Sequence, residues 1–104
     1  MNILPIKFRG VRIDGNGYAY GNLEYMYSGR ETWIDGWQVY PYNVAKLCGY
    51  DGNGREVYEG DTLTDQHGTA YTAVLKGFAV ADDDIIPLDP DDKNLPRLLL
   101  IPKE

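Results

Sequence analysis

Two turns spelled with the same letters, Asp14-Gly15-Asn16-Gly17 and Asp51-Gly52-Asn53-Gly54, constrain this chain more than any other feature. Asp and Asn tolerate the left-handed backbone region, and glycine enters it without a Cβ clash, so the chain reverses at both places. The second turn sits between Val44 to Tyr50 and Glu56-Val57-Tyr58; a further turn at Glu59-Gly60-Asp61 leads into Thr62-Leu63-Thr64. Reversals this close together require short strands. The shared spelling is what hairpins produce when they reuse the best turn residues, not a duplicated binding loop.

The remaining segments read the same way. Ile6 to Ile13 alternates with Ile6 and Phe8 on one face and Lys7, Arg9 and Val11 on the other, and Tyr18 to Tyr27 is a second strand that bends near Gly21-Asn22. Ser28-Gly29-Arg30 and Asp35-Gly36 reverse the chain around Glu31 to Ile34, and Pro41 stops a short strand from Trp37 to Tyr40. Tyr42 to Leu47 reads alternatively as a helical turn capped by Asn43. Thr62 to Thr64 and Ala70 to Leu75 form a hairpin through Asp65-Gln66-His67-Gly68.

The motifs Ile6-Lys7-Phe8-Arg9-Gly10 and Tyr20-Gly21-Asn22-Leu23, with the block from Val39 through Asp61, resemble the YopX family of small proteins found mostly in phages and prophages. Within that block Val44, Gly49, Asp51, Asn53-Gly54, Glu56, Tyr58 and Glu59-Gly60-Asp61 match the family's ending. Ala45-Lys46-Leu47-Cys48 departs from its usual polar and aromatic filling, and nothing after about Thr72 follows its pattern. The resemblance implies an all-β fold of small twisted antiparallel sheets forming a partly closed barrel, and it implies no activity or catalytic residues. The glycine-aspartate turn at Gly60-Asp61 is analogous to turns of SH3-like barrels, an analogy of fold alone.

Composition points to the same class. Nine Tyr, two Trp and twelve Gly in 104 residues suit twisted sheets and tight turns, and the length fits one domain over residues 1–104 with at most a short helical turn. The single Cys48 cannot form an intrachain disulfide, no signal-peptide pattern is seen, and Leu98 to Ile101 is far shorter than the roughly 20 apolar residues of a spanning helix. The expected location is the cytoplasm of a bacterial host, with no membrane association.

A net charge of −6 and a pI near 4.6 disfavour direct nucleic-acid binding, which draws on cations that release counterions from phosphates. The charge is uneven. Lys7, Arg9, Arg12 and Arg30 lie in the first third, whereas Asp82, Asp83, Asp84, Asp89, Asp91 and Asp92 form a late acidic patch. Pro87, Pro90 and Pro96 make residues 82–96 an acidic, proline-rich loop. Residues 97–104 follow as an edge strand or tail, whose Leu98, Leu99, Leu100 and Ile101 either return to the core or dock on another subunit.

No constellation for catalysis stands out. Asp51-x-Asn53 opens like a calcium loop, but Arg55, Glu56 and Thr62 occupy positions that need a ligand, a glycine and a bidentate Glu. His67 is the only imidazole, Cys48 has no histidine near it in sequence, and the Asp-Gly-Asn-Gly turns lack the Lys-Ser/Thr of a phosphate loop. Glu56, Glu59 and Asp61 sit in tight turns, where ordinary acidity is expected. No cofactor and no metal ligand set are assigned. The aromatics are the better clue: nine tyrosines with Trp33 and Trp37 exceed the needs of one small core, and aromatic rings with a polar tip favour interfaces. The reading is a non-enzymatic protein-interaction module, binding itself or a host protein through Tyr25, Tyr27, Trp33, Trp37 and the apolar residues 98–101. The alternative is an acidic nucleic-acid mimic that inhibits a host DNA-binding protein through the acidic patch.

Overall fold

The computed structural model describes residues 4–74, 77–82, 84–89 and 92–101. It is all-β, with one 3-10 turn at Pro41–Asn43, and it divides into two compact units, Met1–Leu47 and Cys48–Glu104. No helix among the described residues is long and apolar enough to cross a membrane.

In the first unit β1 (Phe8–Val11) pairs antiparallel with β2 (Tyr18–Gly21), and β3 (Leu23–Met26), β4 (Glu31–Ile34) and β5 (Trp37–Val39) form a meander. The β4–β5 link is a two-residue Asp35-Gly36 turn with positive φ at both residues, the mirror-type turn whose twist matches a hairpin. The end of β1 then meets β5: Arg12 bridges Val39, and the Tyr40 N–H donates to the Val11 carbonyl at 2.9 Å. This closes the five strands into a curled, partly closed barrel. The bend between β2 and β3 falls at Gly21, where φ is +138° and the Asp35 carboxylate lies where a Cβ would be. Asp35 Oδ1 accepts the Asn22 N–H at 2.9 Å, so the bend is held as well as permitted.

Ala19, Ile34 and Val39 form the buried centre of this unit, with Phe8, Leu23 and Val44 packed against it. Gly10 faces that centre, and a Cβ there would lie 3.0 Å from atoms of both Ile34 and Val39. The 3-10 turn stops at Asn43, and β6 (Ala45–Tyr50) follows as a strand that begins in the first unit and ends in the second. The alternative reading of Tyr42 to Leu47 as a helical turn therefore fails after Asn43. Phe8 and Arg9 pair with Lys46 and Ala45, and ladder bonds to β1 hold this segment extended.

In the second unit β7 (Glu56–Tyr58) follows the Asp51 turn, and a sheet runs in the order β11 (Asp84–Pro87), β10 (Phe78–Ala81), β9 (Ala70–Val74), β8 (Thr62–Thr64), β12 (Leu99–Leu100). Its core gathers Cys48, Val57, Leu63, Tyr71, Ala73, Ala79 and Leu98. The acidic segment is not loop throughout. β11 pairs with β10 over four residues, because Ile86 can reach the core opposite Ala79 and Pro87 sits at the strand's end on an edge, where its missing N–H costs little.

Filling the contact at Gly10 overpacks the first core. Gly10→Ala is expected to cost about 1–3 kcal/mol, read as a lowered midpoint in denaturant unfolding.

Candidate interaction surface

Along β1 and β2 the inward side carries Gly10 and Ala19, and the outward side carries Arg9, Tyr18 and Tyr20. Register places Arg9 directly across from Tyr20 and Val11 across from Tyr18. Each ring receives a cation from the diagonal position: Arg9 lies 5.1 Å from the Tyr18 ring centre and Lys7 6.0 Å from that of Tyr20. Arg12 stacks at 3.6 Å on Trp37 and pairs with Asp14. Cations held over rings keep both partners in defined positions at the surface. Tyr18 and Tyr20 remain 40% and 45% exposed, so the rings are both ordered and accessible.

Of the residues singled out from sequence, Tyr25 and Tyr27 are exposed on β3 and in the turn after it, and Trp37 is half covered by Arg12. Trp33 is half-buried and its indole N–H donates to Glu31 at 3.0 Å. Leu98 is only 5% exposed and lies in the core of its own chain; Leu99 and Leu100 are half-buried in β12, which pairs with β8, and Ile101 is exposed. Asp82, Asp84, Asp89 and Asp92 are exposed, and Asp83 and Asp91 fall outside the described residues. The Lys7, Arg9, Tyr18 and Tyr20 constellation was missed as a site. Its signal was Lys-x-Arg facing Tyr-x-Tyr across one hairpin, legible once the register is known.

The Asp51 turn is occupied by its own chain. The carboxylate is fully buried; Oδ1 accepts the N–H groups of Asn53 and Arg55, each at 2.9 Å, and Oδ2 accepts those of Leu100 and Arg55 Nε, each at 3.0 Å. Burial pushes this carboxyl up, but the backbone donors of Leu100, Arg55 and Asn53 and the Arg55 charge outweigh it, and its pKa lies below the usual value. Asp61, also buried, caps the Tyr58 N–H at 2.8 Å, and the Tyr58 hydroxyl donates to Glu56. Cys48 is buried in the core, and His67 is exposed in its turn, its backbone N–H bonded to Asp65. Among the described residues no three His, Cys, Asp or Glu side chains converge as a metal site.

A shallow cleft of about 280 Å³ in the second unit is lined by Tyr50, Leu95, Asp89, Asp92, Lys93 and Arg97 among others. Its charges are mixed and the Arg97 guanidinium is bonded to Asn53, so it favours no one ligand class. No protein-family model matches this chain, and no curated protein matches it.

Asp51→Asn places an amide where Oδ2 or Oδ1 accepts two donors, and is expected to cost about 2–3 kcal/mol. A depressed folded pKa stabilises above the unfolded value of about 3.9, and that stability is lost as pH falls through the lower folded value. Thermal melts across the acid range should therefore show a fall in stability below about pH 4 that flattens in the variant.

Proposed function

We propose that this chain is a non-enzymatic protein-interaction module of YopX type, phage or prophage in origin and cytoplasmic in a bacterial host, and that it engages partners through the aromatic face of its first unit. One observation carries the reading. Of thirteen large apolar side chains exposed among the described residues, eleven belong to Met1–Leu47. Single exposed apolar residues are ordinary, but a concentration of ring-bearing side chains in fewer than half the residues is the composition of interface centres. The groups that invited chemistry have structural employment instead: Asp51 and Asp61 bind backbone donors, and Cys48 fills core volume.

A second reading rests on the charge. Met1–Leu47 holds five Lys and Arg against four Asp and Glu, whereas Cys48–Glu104 holds five against twelve. A surface this acidic suits a nucleic-acid mimic, and a complex with a DNA-binding protein that weakens with salt and with Asp→Asn changes at Asp82, Asp84, Asp89 and Asp92 would select it.

A photo-crosslinking side chain placed at Tyr20 or Tyr25 in cells expressing the protein should yield covalent protein adducts, and the same group at Gln66 should yield none. Equal labelling at all three positions would overturn the first reading.

A further inference from the structure

The two Asp-Gly-Asn-Gly turns share an Asn-Gly pair, and that pair has a chemistry of its own. The main-chain nitrogen of the glycine can attack the side-chain Cγ of the asparagine, because glycine has no Cβ to obstruct the approach or restrict the turning of the peptide. The attack requires a glycine N–H that is not engaged elsewhere and a peptide that can rotate toward the amide. A Cβ built at Gly17 or at Gly54 meets no atom within 4 Å, so space does not distinguish the two turns. Hydrogen bonding does.

In the first turn Asn16 and Gly17 are exposed, and the Gly17 N–H has no hydrogen-bond partner among the described residues. The bonds of this turn lie on either side of it: Gly15 donates to the Arg12 carbonyl at 3.3 Å, the Asn16 N–H to Asp14 Oδ1 at 3.0 Å, and the Gly17 carbonyl accepts from the Arg12 N–H at 2.9 Å. In the second turn one residue holds three successive N–H groups. Those of Asn53 and Arg55 donate to Asp51 Oδ1 and that of Gly54 to the Asp51 carbonyl, each at 2.9 Å. The side-chain oxygen of Asn53 also receives the Arg97 guanidinium. The Gly54 nitrogen is therefore engaged, and its peptide cannot rotate without breaking bonds to Asp51.

We propose that Asn16 is a site of spontaneous deamidation and that Asn53, in the same tetrapeptide, is protected from it. The Gly17 nitrogen bonds to Asn16 Cγ and gives up its proton; the Cγ–Nδ2 bond breaks, and ammonia leaves with that proton, closing a succinimide ring. Water then adds across one of the two imide C–N bonds. Opening on the Cγ side leaves Asp at position 16, and opening on the main-chain side leaves an isoaspartyl linkage that runs through Cγ and is longer by one methylene. Either product adds a negative charge to the turn of Arg12 and Asp14. The isoaspartyl form also inserts its methylene just before Gly17, whose carbonyl closes the β1–β2 hairpin. The hairpin that carries Arg9, Tyr18 and Tyr20 outward thus passes irreversibly from an initial to an aged form. This chemistry needs only the turn and water, and it stands independently of the interaction-module reading.

The test incubates the folded full chain at mildly alkaline pH beside the same chain unfolded in urea, and follows both by peptide mass spectrometry. Cleavage after Lys and Arg places Asn16 on the peptide from Ile13 to Arg30 and Asn53 on that from Leu47 to Arg55. Replacing an amide by a carboxyl raises the peptide mass, and fragmentation assigns the change to Asn16 rather than Asn22. In the folded chain Asn16 should convert at least about tenfold faster than Asn53, because attack at the second turn must first break hydrogen bonds. In urea the two rates should converge, since the glycine that follows each asparagine is the same. Equal rates in the folded chain, a faster Asn53, or a folded Asn16 that keeps its amide while the unfolded chain converts would each overturn the proposal. So would an Asn53 that stays slow in urea, because its protection would then owe nothing to the folded turn.

Discussion

The Asp51 carboxylate is the point on which the second unit depends. A short turn ordinarily needs only its own residues, yet this one places a charge where solvent does not reach, and a buried charge is costly unless it is bonded on every side. Two donors come from within the turn, and the side chain of Arg55 supplies a third with its charge. The remaining donor, the Leu100 N–H, comes from the far end of the chain. Gly52 donates in turn to the Leu98 carbonyl at 2.7 Å, and Arg97 reaches Asn53. Tail and turn are therefore one object: the tail satisfies the charge, and the charge fixes the backbone that carries Leu98 into the core.

The first Asp-Gly-Asn-Gly turn shows what the same letters do without that demand. Asp14 also accepts the N–H two residues on, at 3.0 Å, but it is exposed, and it pairs with its neighbour Arg12 rather than with anything distant. Equal sequence has given neither equal turn geometry nor equal structural consequence: Gly15 takes a φ of 81° where Gly52 stays outside the left-handed region, and the closing backbone bond runs from Gly15 to the Arg12 carbonyl in the first turn but from Gly54 to that of Asp51 in the second. The difference lies in what the rest of each unit brings to the carboxylate.

That contrast marks how much could be read in advance. The reversals at Asp14, Asp35, Asp51 and Asp65, the bend at Gly21 and the short strands between them were legible, because a turn is encoded in about four adjacent residues and a strand in its alternation. The barrel-like all-β class followed from them. The strand at Asp84–Pro87 was not legible, since acidic and proline residues argue against pairing and only the partner strand, with Ala79 to receive Ile86, overrides them. The division at Leu47 was equally hidden, falling inside a continuous strand where no linker composition announces it. For the surface, Tyr25, Tyr27 and Trp37 could be picked by type. The pairing of Lys7 and Arg9 with Tyr20 and Tyr18 depends on a diagonal across the ladder, which only the register reveals.

The reach from Asp51 to Leu100 also has a meaning in time. Strand neighbours in the first unit's meander are joined by short turns, so its contacts close quickly, whereas β12 finds β8 only after a loop of some thirty-five residues has been gathered in. Until then Oδ2 of Asp51 lacks its backbone donor from Leu100, and the core lacks Leu98. The docking of its last strand is thus the long-range closure of the second unit, as the pairing of Phe8 and Arg9 with Lys46 and Ala45 is that of the first, and in each the entropy of gathering in the intervening chain comes before the contacts that offset it.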